Sequence, residues 1–317
     1  MKMIEAAEVD AALDPRQLID ALRAAFRGGC EMPVRHHHHV QVDQRPDGTL
    51  LLMPAWRKGG MLGLKCLTVY PGNPTAGLST IMGFYALMDA TTGQLLALMD
   101  ATVLTAKRTA ATSALAASYL AREDASRLLI VGTGNLAPYM ARAHAAIRPI
   151  TRVTVFGRSP EKVQAMIATL NDAPFETVAA ESLESAVANA DIVCCATTAT
   201  APLVRGAWLR PGTHLDLVGA FKPDMREADA DAVAKARVYV DSRAGAMHEA
   251  GDILIPLREG LITEAHVIAD LSELVRGEKP GRSSLSEITL FKSVGMALED
   301  LAAAELVYNR VSDVSTR

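Results

Sequence analysis

Three cations stand in apolar company along the first third of the chain. Arg35 follows Met-Pro-Val, Lys65 lies inside LGLKCL, and Arg108 lies in LTAKRTAATSALAASYL, a run of small apolar residues. Any one of them alone reads equally well as a solvated or paired surface charge. Together they suit a small α-carboxylate or α-imino acid. Arginine offers a planar fork to a carboxylate, and lysine can donate a proton or polarise an imine. Strand-forming residues flank Lys65 on both sides. The small residues from Thr109 to Ala117 predict a closely packed helix with Arg108 in its first turn. Lys107 is then one position around that helix, solvated or paired.

A second constellation begins at LLIVGTGNLAPYMARA, where Gly132, Gly134 and Ala137 form G-x-G-x-x-A between a strand and a helix. Glycines there permit a tight turn and close approach of a pyrophosphate, whose charge meets the helix N-terminus. Thr133, Asn135 and Leu136 complete the turn and are cofactor-binding candidates with the two glycines. The end of the next strand, VFGRSPEK, carries Arg158 and Ser159 and has no acid before Glu161. A carboxylate there would accept from a ribose 2′-hydroxyl and repel a 2′-phosphate, whereas Arg158 and Ser159 can bind that phosphate. The expectation is NADP(H) as preferred cofactor and NAD(H) as second choice. Stacking of Arg158 on the adenine would leave the preference loose.

The elements that must hold these groups fall into two patterns. DPRQLIDALRAAFRGG has apolar residues at helical spacing, begins with Asp-Pro and stops at Gly-Gly. HHHHVQV, TLLLMPAW, GMLGLKCLTV, TIMGFYALMDA and QLLALMD follow as short strands separated by PDG, KGG, PGNP and TTG, so residues 33–100 predict an antiparallel sheet. From about residue 127 strands and helices alternate: RLLIVG, NLAPYMARAHAAI, RVTVFGR, SPEKVQAMIATL, SLESAVANA, DIVCCATT, THLDLVGA and ARVYVDSR. The strands are rich in Val, Ile and Leu, as in a parallel sheet buried on both faces. That is the pattern of a doubly wound α/β domain. After residue 285, SEITLFKSVGMALEDLAAAELVYNRV predicts one long helical stretch that leaves this domain and packs on the N-terminal part.

Composition narrows the partners. Net charge is −4 over 317 residues, which favours neither nucleic acid nor an anionic membrane. The start, MKMIEAAEVDAALD, lacks the apolar core of a signal peptide, and no apolar run reaches the roughly 20 residues needed to span a bilayer. Cys30, Cys66, Cys194 and Cys195 show neither metal nor disulfide spacing, which suits free thiols in a reducing cytoplasm. His36 to His39 would alternate on a strand, two to each face, without a nearby acid or cysteine cluster. Two ligands per face make a poor site, so no metal is expected. A histidine of this run beside Arg35 could line a substrate pocket.

The stretch from LGLKCLTVYPGNPTAGLSTIMGFYALMDATTGQLLALMDATVLTAKRTAATSALAASYLAREDASRLLIVGTG, with DIVCCATT, LRPGTHLDLVGAFKPDMREAD and the late FKSVG, closely resembles the ornithine cyclodeaminase/mu-crystallin family. The resemblance covers nearly the whole chain. It implies an α/β fold with a Rossmann dinucleotide-binding domain and an α+β substrate-binding and dimerisation domain. Residues 1–115 with 290–317 would form the substrate domain, residues 116–289 the Rossmann domain, and the assembly would be a homodimer. Residue by residue it assigns Arg35, Lys65 and Arg108 to the substrate carboxylate and catalysis, with Thr80 as a further substrate contact. Thr109, the glycine turn, Thr197, Thr198, Val218, Gly219 and Ser293 to Gly295 would line the dinucleotide.

Two departures sharpen the expected reaction. Ornithine cyclodeaminases of this family carry a glutamate where this chain has Leu51, and an aspartate where it has Phe221. Without those carboxylates nothing obvious holds a δ-ammonium or takes its proton. The form GA-x-x-PD-x-RE resembles instead the ketimine-reductase branch, and an apolar pocket containing Leu51 and Phe221 would suit a ring. The resemblance therefore implies NAD(P)H-dependent reduction of Δ1-pyrroline-2-carboxylate or Δ1-piperideine-2-carboxylate to proline or pipecolate. Lys65 would supply or relay the proton, and Arg108 with Arg35 would hold the carboxylate. The alternatives are an ornithine cyclodeaminase, an alanine-type dehydrogenase, or a non-catalytic protein binding NADPH or another small ligand.

Overall fold

A computed structural model of the chain, which describes residues 1–314, divides it into two compact units, Met1–Arg108 with Ala297–Arg317, and Thr109–Met296. The expected boundaries at 115/116 and 289/290 fall a few residues away from these.

The first unit contains β1 (Lys2–Ile4), α1 (Ala6–Ala12), α2 (Pro15–Gly28), β2 (His36–Val40), β3 (Gly48–Trp56), β4 (Met61–Val69), β5 (Ile81–Asp89) and β6 (Leu95–Asp100). It also holds the start of α3 (Ala101–Leu120) and the closing helix α11 (Ala297–Val314). Asp14 accepts from the Gln17 N–H and Pro15 occupies the first turn, so α2 starts where its sequence signals indicate. The five expected strands form one sheet in the order β1-β6-β5-β4-β3-β2. Its hairpins are antiparallel, and only β1 joins parallel, beside β6. Neither β1 nor α1 stood out in the acidic N-terminal sequence.

Cross-strand register sorts this sheet into two faces. Met53, Lys65 and Tyr85 lie in one row, Leu52, Cys66 and Phe84 in the next, and alternation turns these rows to opposite sides. The first row is buried beneath α11, which packs on β3, β4, β5 and α2. Gly63 keeps that face close. A Cβ there would run into the Tyr85 hydroxyl, so the tyrosine ring occupies the space that a side chain at 63 would need.

The second unit is built on an eight-stranded, wholly parallel sheet in the order β13-β12-β14-β11-β10-β7-β8-β9. In chain order its elements are β7 (Arg127–Val131), α4 (Ala137–Ile147), β8 (Arg152–Phe156), α5 (Pro160–Ala168), β9 (Glu176–Ala179), α6 (Leu183–Asn189), β10 (Ile192–Cys195) and β11 (His214–Leu217). Then come α7 (Ala230–Lys235), β12 (Arg237–Val240), α8 (Arg243–Glu249), α9 (Gly251–Arg258), β13 (Val267–Asp270), α10 (Leu271–Arg276) and β14 (Thr289–Lys292). Aliphatic side chains of β7, β10, β11, β12 and β14 share one core cluster with the helices beside them. The Rossmann architecture expected from the alternating pattern is present.

The stretch after residue 285 is not a single helix, because Thr289–Lys292 is a strand inserted between β11 and β12. All four residues are buried, which a helix continuing into α11 would not allow in this sheet. The chain leaves the second unit through Gly295, whose φ of 79° suits glycine, and only then begins α11.

Replacing Gly63 by alanine should destabilise the first unit by about 1–3 kcal/mol, the usual cost of overpacking. Equilibrium urea denaturation of Gly63→Ala against the natural protein measures it.

Candidate active site

Asp100 accepts from the Val103 N–H at 2.7 Å and thereby starts α3 at Ala101. Arg108 is therefore about two turns inside the helix, not in its first turn as the sequence suggested. At that depth its side chain is buried, 5% exposed. Lys107 turns away and pairs with Asp10 at 2.9 Å, donating also to the Leu13 carbonyl, as expected of a paired neighbour.

Arg108 and Lys65 converge on two acids of α11 that the sequence reading did not single out. Asp300 Oδ2 lies 2.7 Å from Lys65 Nζ, and Asp300 Oδ1 accepts from Arg108 Nε at 2.8 Å. Glu299 Oε2 accepts from Arg108 Nη1. Both acids are fully buried in the first turn of α11, where the helix dipole favours negative charge. Two cations and two carboxylates thus neutralise one another in the interior of the first unit. Their trace in the sequence is the pair Glu-Asp inside the otherwise apolar MALEDLAAA.

This setting tunes Lys65. Burial lowers its pKa to about 8 against the stabilising Asp300 charge, with Arg108 and Arg35 pushing in the same direction as burial. For Arg108 burial works against the charge, but Asp300 and Glu299 outweigh it and raise the pKa. Lys65 is thus an ammonium poised near neutrality in a dry site, as a proton donor requires. Tyr85, its cross-strand neighbour, has a buried hydroxyl whose pKa burial and Asp300 hold well above the usual value.

Arg35 lies just before β2, half-buried, near enough to act electrostatically on Lys65. Thr80 is not part of this cluster. The β4–β5 hairpin places it opposite Tyr70, five residues from Lys65 along the strand, roughly 17 Å away. Leu51 sits half-buried in β3 on the same side as Met53 and Lys65. His36 and His38 share one face, their rings edge to face at 6.2 Å, and His39 pairs with Asp47 at 3.1 Å.

In the second unit the glycine turn has the form a dinucleotide needs. Gly132 has a φ of 122°, and a Cβ there would lie 2.6 Å from the Ala196 carbonyl oxygen. Gly134 faces open space where a Cβ would point, which leaves the backbone bare ahead of α4. Thr133, Asn135 and Leu136 complete the turn, and Thr133 approaches so near to Gly157 that a Cβ at 157 would lie 2.7 Å from its methyl group. The end of β8 is thereby held against the turn. The residues present fit a dinucleotide.

Arg158 is exposed at that end, but Ser159 is already engaged. It caps α5, accepting from the Lys162 N–H at 3.3 Å and donating to Glu161 Oε2 at 2.6 Å. The carboxylate that sequence order placed in the next helix is thus drawn back to the strand end. Thr109 is half-buried on α3, Thr197 and Thr198 follow β10, and Val218 and Gly219 follow β11. The Ser293 hydroxyl and the Val294 and Gly295 N–H groups all donate to Asp241 at 2.6–2.8 Å. Phe221 is 37% exposed on the loop after β11. Deeper in this unit, Asp216 accepts from Ser113 at 3.0 Å and lies 3.1 Å from His144, with the Cys194 thiol alongside.

A parallel sheet with a glycine turn at the end of an interior strand, joined to a unit holding buried lysine and arginine, defines a dinucleotide-binding protein with a separate set of acid–base groups. The family model of the ornithine cyclodeaminase/mu-crystallin family matches residues 1–315, and the chain belongs to that family. It is 43% identical to a Δ1-pyrroline-2-carboxylate reductase of Paracoccus denitrificans, covering 89% of this chain and 90% of that one. The structure resembles that of Δ1-pyrroline-2-carboxylate reductase from Thermococcus litoralis in complex with NADH and L-proline, with a TM-score of 0.93 at 35% identity over 99% and 98% of the two chains. It also resembles an archaeal alanine dehydrogenase dimer with bound NAD, with a TM-score of 0.90 at 31% identity over 99% and 96%. The ketimine-reductase branch indicated by the sequence motifs is the one to which the first two relatives belong.

Asp300→Asn leaves two buried cations facing one carboxylate. It should cost about 3–5 kcal/mol of stability, as removal of one partner from a buried ion pair does. Urea denaturation at neutral pH reads the change.

Proposed function

We propose that this protein reduces the C=N bond of a small cyclic α-imino acid with a nicotinamide dinucleotide. The five-membered substrate would be Δ1-pyrroline-2-carboxylate, giving proline, and the six-membered one Δ1-piperideine-2-carboxylate, giving pipecolate. The observation that carries this is Lys65, an ammonium with a pKa near 8 held by Asp300 in a dry site. The family relationship and the two named reductases support the same chemistry.

A reduced nicotinamide, when bound, supplies the hydride that the imine carbon accepts. Lys65 gives its proton to the imine nitrogen, which makes that carbon electrophilic and leaves a secondary amine after reduction. Arg35 and Arg108 hold the substrate carboxylate and fix the presented face. Leu51 and Phe221 stand where cyclodeaminases of the family have acids, so a terminal ammonium finds no counter-charge at those positions. This disfavours ornithine and favours an uncharged ring. The first unit serves as the substrate and dimerisation domain and the second as the cofactor domain. Met82 and Phe84, both exposed on the face of the first sheet turned away from Lys65, support a homodimer. Among the described residues no helix is long and apolar enough to cross a membrane. Four free cysteines support a cytoplasmic setting.

For the cofactor, Arg158 favours a 2′-phosphate, whereas Glu161, drawn to Ser159, favours a ribose hydroxyl. We assign use of both dinucleotides to this balance, with the share of NADP(H) resting on Arg158. Arg158→Ala should lower kcat/KM for NADPH by about tenfold and for NADH much less. Steady-state kinetics with both cofactors tests that assignment.

Absorbance at the nicotinamide band, followed with each imine, tests the reaction itself; no consumption of either imine with either cofactor would end this reading. Lys65→Met should lower kcat by about 100-fold or more while NADH affinity is retained. In the natural protein the acid form of Lys65 is required, so kcat/KM should fall as pH rises through about 8.

A further inference from the structure

One buried carboxylate takes no part in the chemistry above, yet four donors converge on it. Glu227 Oε1 accepts from the Thr197 N–H at 2.6 Å and the Thr197 hydroxyl at 2.8 Å. Its Oε2 accepts from the N–H groups of Gly219 at 2.8 Å and Ala220 at 3.2 Å. Thr197 lies in the loop after β10, and Gly219 and Ala220 lie in the loop after β11. The two loops approach so closely that a Cβ on Gly219 would overlap the Thr197 backbone. Glu227 is itself fixed from behind. Its own N–H and that of Ala228 donate to Asp252 Oδ1 at 2.7 and 3.1 Å, and Asp252 Oδ2 pairs with Lys292 of β14 at 3.0 Å. Glu227, Asp252 and Lys292 are all fully buried.

We propose that Glu227 is a positioning residue for the dinucleotide, its carboxylate setting the shape of the two loops after β10 and β11, with the Asp252–Lys292 pair as its anchor. This rests on the reading that Thr197, Thr198, Val218 and Gly219 line the cofactor. Loops at the carboxyl ends of adjacent parallel strands are where open α/β sheets bind ligands, and their backbone must be held before the ligand arrives. Only an ionised carboxylate accepts from all four donors. An amide, or a protonated carboxyl, turns one acceptor into a donor that faces N–H groups.

The surroundings make this sensitive to protons. Burial raises the Glu227 pKa and the Asp252 charge adds to that, while the Lys292 ammonium opposes it. The Cys195 thiol of β10 also lies within reach of the Glu227 and Asp252 charges, and burial holds it well above the usual range, so it stays neutral. A carboxyl with a raised pKa loses its ionised form as pH falls, so the loops loosen in acid and hold at neutral and alkaline pH.

Fluorescence titration with NADH from about pH 5 to 9 tests this on the full-length protein. The natural protein should bind with a constant Kd at neutral and alkaline pH and weaken several-fold in acid. Glu227→Gln should bind about tenfold more weakly at pH 7.5 and lose the acid limb, with kcat at saturating NADH within about twofold. A merely structural glutamate would not give its variant a flat pH profile. Thr197→Val, which removes a single donor to the ionised carboxylate, should weaken binding about threefold and move the acid limb to higher pH, a shift that loss of a direct contact between Thr197 and the cofactor would not give, and it decides the matter if Glu227→Gln does not fold. Natural affinity with an intact acid limb in Glu227→Gln overturns the proposal, as does a flat profile in the natural protein with unchanged affinity in Thr197→Val. Failure of the natural protein to bind NADH or NADPH at any pH would instead overturn the cofactor reading beneath it.

Discussion

Two cations cannot be buried side by side without anions, and the first unit is arranged around that constraint. Lys65 on β4 and Arg108 on α3 share Asp300, and Glu299 completes the balance. The acids sit in the first turn of α11, so this helix must close over the sheet from the far end of the chain. A charge set of this kind gives modest net stability against a hydrophobic core of equal volume. Its effect is to fix where the lysine is and how readily it gives up a proton. The register that puts Lys65 between Met53 and Tyr85 and the glycine at 63 both follow from keeping that face of the sheet tight beneath α11.

The second unit solves a different problem with the same means. A dinucleotide needs bare backbone at the carboxyl ends of parallel strands, and bare backbone is mobile unless something holds it. Gly132 and Gly134 expose the turn, and Gly157 lets β8 lie against it. Buried carboxylates then gather the remaining N–H groups: Asp241 for the turn after β14 and Glu227 for the loops after β10 and β11. In both units, acids that meet no solvent hold the groups that would meet ligand.

Much of this was legible in order along the chain. The hairpin strands of the first sheet were marked by turn residues between short apolar runs. The Rossmann unit was marked by Val- and Ile-rich strands alternating with helices, and its glycine turn by local spacing alone. Strand β14 is not legible in the sequence because TLFK is four residues long and leads directly into a helical pattern; what makes it a strand is a place left open between β11 and β12. The resemblance groups Thr80 with Lys65, whereas hairpin register separates them along the strand. Arg108 reads as a first-turn residue only while Asp100 is counted as the end of the strand QLLALMD and not as the cap of the helix that follows.

The sequence by itself determined the family, the two kinds of unit, the dinucleotide turn and the three cations. Each of those is encoded by residues close together in the chain or by motifs with fixed spacing. Only the tertiary structure decided what neutralises the cations and what holds the loops. Glu299 and Asp300 lie about 190 residues from Arg108, and Asp300 is farther still from Lys65. A buried charge is stable only beside its partner, and which partner it meets is settled by how the elements pack.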